Sequence, residues 1–379
     1  MTGKSSFINK LKSEELLQRE DHREDDFRGG YFRDTTAIIH SYPFRRLKHK
    51  TQVFFSPKND HICTRIEHVL HVASVASAIC KGLNLDSDLA WAIGLGHDLG
   101  HTPFGHVGEK IINNIRKDSG GFIHELYSLR VVDYLVQYGK GLNLTYAVRD
   151  GIVSHCGEKF EQSLSPDFKI KNLKLLKART HLPSTWEGAV VRMADKISYL
   201  GRDIEDAIQL RIIKESEIPQ KGSRVVGTTN SKIINTLVDD IIKTSLETGK
   251  IAFSDRVYEA LLILRDFNYT NIYYSPILAG HVKYFERIIK LLFNYLDEIF
   301  NTYGHELSAY AQENNLLAVR FSDYLGKMTN FYTNVDGGFE NLVTDYIAGM
   351  TDDYAIECVS QIMLPEQMEN QFKQFLMVN

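Results

Sequence analysis

The chain has 379 residues, 43% of them hydrophobic and 24% charged, with a formal net charge of -4. That length and balance allow a substantial buried core, and the slight acidity excludes a global electrostatic pull toward nucleic acid or an anionic membrane. No apolar run reaches bilayer length, the opening stretch MTGKSSFINKLKSEELLQRED is too polar for a signal peptide, and cysteines 63, 80, 156 and 358 lack CxxC spacing. A cytoplasmic protein with no membrane partner is expected, its cysteines serving as small core residues.

Helical periodicity dominates and strand-like alternation is rare. The basic cluster Arg45-Arg46-Leu47-Lys48-His49-Lys50 interleaves charge with Phe44 and Leu47, so one side should pack while the other faces phosphate or a partner subunit. Over Arg65–Lys81, the residues Ile66, Val69, Leu70, Val72, Ala73, Ala76, Ile79 and Cys80 form one apolar stripe, with Gly82 as the expected C-cap. Asp86 or Ser87 can cap a second helix whose run LAWAIGL leads into His97-Asp98. The stretch GHTPFGH breaks that helix with two glycines and a proline, and a third helix is expected over Val107–Arg116. Ser184-Thr185-Trp186-Glu187 reads as a capping box, Ser184 bonding the first turn and Glu187 reaching back. It opens a long helix that buries Val190, Met193, Ala194, Ile197, Leu200, Ile204, Ala207 and Ile208. Residues 216–231, with Pro, two Gly and several hydroxyls, look like a loop or lid. Helical patterns with short polar breaks continue from Ile233 to Phe375, giving an all-α chain with a C-terminal helical extension.

The adjacent pair His97-Asp98 is the strongest local signal. Imidazole beside carboxylate suits a borderline-to-hard divalent cation such as Mn2+, Fe2+ or Mg2+, whereas a structural zinc site favours thiolates. Gly96 and Gly100 make a turn at the pair easy. Alone, the dipeptide is equally a capped helix end with a surface histidine. Arg65-Ile66-Glu67-His68 on the preceding helix and Ala194-Asp195-Lys196 on a later one change that balance. His68 and Asp195 sit among apolar helix positions, where an unpaired carboxylate is costly and a ligated one is not. Arg65 shares a helix face with His68, and Tyr199 and Asp203 share one with Asp195. An ordinary solvated charge network is the bland alternative, to which Arg202 and Asp206 are assigned. His71 and His155 read as core or supporting residues, and His22, His181, His281 and His305 as surface.

The order His68, His97-Asp98, Asp195 resembles that of the HD-domain phosphohydrolases. HDLGHTPFGHVGE (97–109) is similar, more narrowly, to the bacterial deoxyguanosine triphosphate triphosphohydrolases and their dNTPase relatives. HSYPFRRLKHKTQVF (40–54), TRIEHVLHVA (64–73), FIHELYSLRVV (122–132), ADKISYLGRDIEDAI (194–208) and DYIAGMTDDYA (345–355) agree in the same order. The resemblance implies an HD-domain helical phosphohydrolase core with its N-terminal segment over 1–215. A loop or lid and a C-terminal helical region packed on that core would follow over 216–379.

It also implies a reaction: water cleaves a dNTP, dGTP by default, between the 5′ oxygen and the α-phosphorus, releasing a deoxynucleoside and tripolyphosphate. His68, His97, Asp98 and Asp195 would hold one divalent cation, Mn2+ or Mg2+ first, with Fe2+, Ni2+ or Zn2+ as further candidates. His106 would be the acid for the leaving alkoxide, Glu109 would orient or recharge it, and His124 would be a second acid or a phosphate ligand. His101 would meet the α-phosphate; Arg65, Lys196 and Tyr199 the phosphates; Gln52 and Asp203 the 3′-hydroxyl. Tyr273, in NIYYSP, reads either as a core aromatic or, by the resemblance, as a residue near the substrate. A homo-oligomer, up to a hexamer, and an effector that is single-stranded DNA or a second nucleotide belong to the same resemblance. The competing readings are another HD nucleotidase or phosphodiesterase, and a nucleotide or DNA sensor with little turnover.

Overall fold

A close crossing of two helices organises the centre of the molecule, a computed structural model that describes residues 7–363 except 25, 56–58, 60 and 157–159. Helix α1 spans Gly30–His40, α2 Arg65–Leu83 and α3 Ser87–Gly96. Gly94 lets α3 lie on α2, because a Cβ there would sit 2.6 Å from the Cα of Ala73. Side chains Val69, Val72, Ala76, Ile79 and Cys80 are fully enclosed on the α2 side of this contact, each stabilising by about 1–3 kcal/mol relative to exposure. Leu70, expected on the stripe, is 41% exposed. Ile66 is only half-buried, so the buried arc of α2 is narrower on that flank than the sequence suggested.

Helix ends hold further corrections. Asp86 caps α3 as expected, accepting from the backbone N–H groups of Asp88 and Leu89 at 2.9 and 3.1 Å. The C-cap of α2 is Asn84 in the left-handed region at φ 56, one turn-closing residue beyond Leu83, and Gly82 lies inside the helix against Ile242. A carboxylate that reaches back over a helix start is found at α2, where Glu67 accepts from the Thr64 N–H at 2.7 Å. At the expected place the cap is instead Thr185, whose hydroxyl accepts from Gly188 N. Ser184 is taken by Asp150, and Glu187 ties two distant segments together by accepting from Asp86 N and Asn9 Nδ2.

The chain then forms α4 (Gly105–Ile115), α5 (His124–Arg130), α6 (Tyr146–Val153) and α7 (Trp186–Gln209). Helix α7 packs on α2, α3 and α6, burying Val190, Met193, Ala194, Ile197, Leu200, Ile204 and Ala207. Asp206 is buried too and accepts from Cys63 N at 3.0 Å, so it pins a turn rather than joining a solvated network. Segment 216–231 is not a continuous loop. It carries α8 (Gln220–Val226), and α9 (Asn230–Thr248) starts within it. Helix α8 packs on α10 (Asp255–Asn268). Further on lie α11 (Pro276–Tyr303), α12 (Leu316–Phe331), α13 (Leu342–Ala348) and α14 (Asp352–Met363). Among the described residues the only named strands are β1 (Ser163–Leu164) and β2 (Ile251–Ala252), antiparallel with Ser163 opposite Ala252. No helix among the described residues is long and apolar enough to cross a membrane.

Candidate functional site

Three helices deliver the four side chains singled out as ligands. His68 lies on α2, Asp195 on α7, and His97-Asp98 where α3 ends. Asp195 Oδ1 stands 3.1 Å from His68 Nε2 and 3.9 Å from His97 Nε2. The Asp98 carboxylate is 3.8 Å from His68 Nε2 and 3.5 Å from His97 Nε2. Chain positions more than a hundred residues apart therefore converge on one point.

The chemistry of that point is unbalanced in favour of acceptors. His97 Nδ1 lies 2.7 Å from the carbonyl of Gly94. A carbonyl can only accept, so Nδ1 carries the proton and Nε2 presents a lone pair. Burial pulls the His97 pKa down to about 4, keeping the ring neutral. Its Nε2 is buried, has no hydrogen-bond partner, and faces two carboxylates. Burial raises the energy of the Asp195 and Asp98 carboxylates, yet neighbouring imidazoles, with Arg65 beside Asp98, hold both below the usual carboxylate range. Two carboxylates, the His97 lone pair and His68 Nε2, which here bonds to Asp195 at 3.1 Å and would give up that proton to a metal, make a donor set that matches a borderline-to-hard divalent cation. Histidines 68 and 97 and Asp98 each offer a ligand atom within 4.8 Å of the others.

The backbone turn that presents this pair is locked from two sides. A Cβ on Gly100 would fall 2.2 Å from Ser128 N, so only glycine allows α5 to lie against the turn. Ser128 Oγ bridges it, donating to His97 O at 2.7 Å and accepting from Gly100 N at 2.9 Å. From the C-terminal end, Asp352 accepts from Phe104 N at 2.9 Å, where φ is 62, and from Thr51 N at 2.9 Å. Lys50, expected on the open face of the basic cluster, is buried and donates to the carbonyls of His101 and Ala348. Phe44 and Leu47 pack as expected, and Arg45, Arg46, Lys48 and His49 are exposed.

Next to the four-residue cluster lies a second group. Glu109 Oε2 is 3.2 Å from His106 Nδ1 and 3.0 Å from His124 Nδ1. Burial alone would raise Glu109, but His124 and the bond from His106 hold it far below the carboxylate range. His124 is pushed the other way: burial opposes its charge, and Glu109 and Glu125 overcome that and keep it protonated. His101 stacks on His124 with ring centroids 4.1 Å apart and is neutral, through burial and the nearby Arg65. Neither His101 ring nitrogen has a partner, and Nε2 lies 3.6 Å from Asp98 Oδ1. His106 is largely exposed.

Both groups open into a cleft of about 1410 Å³, room for a nucleotide. Gln52, Arg65, Lys196, Tyr199 and Asp203 all line it. Arg65 has its guanidinium engaged by Asp98 and the carbonyls of Thr51 and Gln52, and is almost fully enclosed. Lys196 pairs with Glu161. Asp203 accepts from Tyr273 at 2.5 Å, and burial raises its pKa to about 7. Gln52 Oε1 is buried without a partner.

Several residues here escaped the sequence reading. His155 is not among them: read as core or supporting, it is buried and points Nε2 to within 3.9 Å of Asp98 Oδ1. Cys156 and His281 line the cleft instead of lying in the core and on the open surface, and Tyr273 is a cleft residue. Arg179 bridges Glu109 and Glu125, the latter at 3.1 Å. Glu125 had a usable signal in its adjacency to His124, and Tyr273 had one in its NIYYSP setting.

The chain is similar to known proteins along most of its length. The HD domain model matches residues 65–200 and the phosphohydrolase-associated domain model residues 251–361. A deoxyguanosinetriphosphate triphosphohydrolase-like protein of Caldanaerobacter subterraneus subsp. tengcongensis is 39% identical over 90% of this chain and 86% of its own. One of the same description from Clostridium perfringens is 36% identical over 95% of both chains. A solved hypothetical protein from Aquifex aeolicus superposes with a TM-score of 0.41 and 18% identity, over 87% of this chain and 70% of that one.

Proposed function

Because the chain belongs to the deoxyguanosinetriphosphate triphosphohydrolase-like family of HD-domain phosphohydrolases, we propose that it hydrolyses deoxynucleoside triphosphates, with dGTP as the default substrate. Water adds to the α-phosphorus, the bond from phosphorus to the 5′ oxygen breaks, and that oxygen leaves with a proton. The products are a deoxynucleoside and tripolyphosphate.

The observation that carries this reading is the buried, unpartnered Nε2 of His97, facing two carboxylates beside a protonated imidazole. His68, His97, Asp98 and Asp195 would hold the cation, Mn2+ or Mg2+ by donor type. When bound, it supplies Lewis acidity toward a phosphate oxygen and the attacking water. Arg65 is the positioning residue for Asp98: one guanidinium nitrogen holds Asp98 Oδ2, and the other anchors the side chain on the carbonyls of Thr51 and Gln52.

The leaving alkoxide is a strong base, so a proton must be at hand. His106 donates it from the cleft mouth and regains a proton from solvent, while Glu109, kept ionised by its two histidines, orients the ring. His124 holds a proton close by and meets the phosphates. His101, neutral and with free ring nitrogens, contacts the α-phosphate. Lys196 and Tyr199 face the phosphate chain, while Gln52 and Asp203 hold the 3′-hydroxyl, one of them accepting its single proton. Homo-oligomeric assembly, with single-stranded DNA or a second nucleotide as effector, belongs to the same proposal; sedimentation and turnover with each ligand added test it.

The deciding experiment incubates the full chain with Mn2+ and each of the four dNTPs in turn, with product identification by ion-exchange chromatography. Tripolyphosphate and deoxynucleoside in equal amounts are expected. Release of orthophosphate or pyrophosphate would move the protein to another HD hydrolase class, and binding without turnover would make it a sensor.

A further inference from the structure

Cys156 and its two imidazole neighbours have no part in the reaction described above as a unit. His124, His155 and Cys156 each offer one ligand atom within 4.8 Å of the other two. His155 Nδ1 is committed to the carbonyl of Ile152 at 2.7 Å. His124 Nδ1 is committed to Glu109 at 3.0 Å and to Glu125 at 3.3 Å. By elimination both rings have Nε2 for the third partner, and the Cys156 thiol hydrogen-bonds with each. The thiol is held where it stands: α6 ends at Val153, and Arg192 Nη1 donates to the carbonyls of Ser154 and Cys156 at 3.3 and 2.8 Å.

The donor set differs in kind from the one next to it. Two imidazoles and a thiolate suit zinc or cobalt in tetrahedral geometry with a fourth position open. The carboxylate-rich set of His68, His97, Asp98 and Asp195 suits a harder ion. The two abut, because His155 Nε2 lies 3.9 Å from Asp98 Oδ1. Burial pushes the thiols of Cys63, Cys80 and Cys358 up, as in apolar surroundings. At Cys156 burial acts the same way, but the two imidazoles outweigh it and pull the thiol below its ordinary value.

We propose that His124, His155 and Cys156 form a soft-metal site for Zn2+, and that filling it inhibits the enzyme by taking His124 away from the substrate. The site stands on its own geometry, whereas the inhibition rests on the role given to His124 under the proposed function. Binding exchanges protons for metal: the thiol gives up its S–H proton, and each coordinating nitrogen gives up any proton it carries. No electron transfer is involved.

The test titrates the full chain, already loaded with Mn2+, with Co2+ alone and records the thiolate-to-cobalt charge-transfer absorption. One saturating band is expected, bleached by Zn2+. It should vanish in Cys156→Ser and weaken in His155→Gln, with circular dichroism confirming that both variants are folded. In parallel, Zn2+ should inhibit dNTP hydrolysis with an affinity roughly tenfold or more weaker in Cys156→Ser than in the parent, each normalised to its own zinc-free rate. No band, or one that persists in Cys156→Ser, overturns the site. A Cys156-dependent band without inhibition overturns the inhibitory role. A band in a chain that turns over no dNTP under any metal condition upholds the site and removes both the inhibition and the hydrolase reading.

Discussion

Two buried polar clusters, both built around an aspartate, differ in how far the protein satisfies them. Around Arg130, every charge meets a protein partner. Its guanidinium forks onto Asp345 at 2.7 and 2.9 Å and onto Asp336 at 2.7 and 2.8 Å. Tyr332 donates to Asp345 at 2.9 Å and Asn341 to Asp336 at 3.0 Å. Around Asp98 and Asp195 the count of donors falls short: His97 presents a lone pair, and both His101 nitrogens lack partners. The first cluster is complete as folded and acts as a fastener between α5, α13 and the turn after α12. The second is a set of acceptors aimed at one point, stable with a cation among them. Incompleteness of a buried network, more than burial or charge, marks the site.

The sharpest way to break this contrast is to remove an acceptor from the incomplete cluster. Asp195→Ala should cut dNTP turnover on the order of 10³-fold or more and abolish stoichiometric Mn2+ binding. The melting temperature of the metal-free chain should not fall, since one like charge is relieved. Full activity in a variant that binds no metal would sink the assignment.

The complete cluster should behave oppositely. Asp345→Asn leaves Arg130 partly unpaired in a buried setting and should destabilise by about 3 kcal/mol, read as a shifted urea midpoint, with kcat per folded molecule unchanged. A loss of kcat at full folding would show that the fastener reaches the cleft.

Glu109→Gln sharpens the same line from within the cleft. With its charge gone, His124 loses a partner that retains its proton and His106 loses the carboxylate that orients it, and kcat should fall about 10²-fold while KM moves little. An equal rise in KM would place Glu109 in substrate binding instead.

The smallest effect concerns acid stability. Burial alone would raise Asp336, but its bonds from Arg130 and Asn341 hold it below the ordinary carboxylate value. Its contribution is therefore fully present above the unfolded carboxylate pKa and is lost as pH falls through the lower folded one. Asp336→Asn should cost about 1 kcal/mol at neutral pH after solvent screening, with the difference vanishing toward the acid end. A difference independent of pH would mean packing, not charge, is lost.

Much of the site was legible before any fold was known. The candidate ligands His68 and Asp195 could be named because chemistry-bearing residue types interrupt otherwise apolar helical stripes, and His97-Asp98 because the pair is adjacent at a turn, whereas the roles of His106, Glu109 and His124 came from the resemblance to the phosphohydrolases. The core faces of α2 and α7 could be listed for a related reason: period 3.6 is a local property of one helix. The misreadings share one cause. Lys50, Cys156, Arg179 and Asp352 carry no local pattern, and the Ser184 box failed because Asp150, thirty-four positions earlier, competes for that serine. Segment 216–231 looked like a loop by composition, but packing on α10 makes part of it a helix.

The sequence by itself determined which residues could act as donors, acids and core, since those depend on side-chain chemistry and spacing along one element. Tertiary structure alone decided which of them meet. The crossing at Gly94, the turn wedged at Gly100 and the Asp352 bond to Phe104 set relative helix positions to within ångströms, and coordination chemistry operates on that scale. Periodicity within a helix carries no information about the angle at which another helix crosses it.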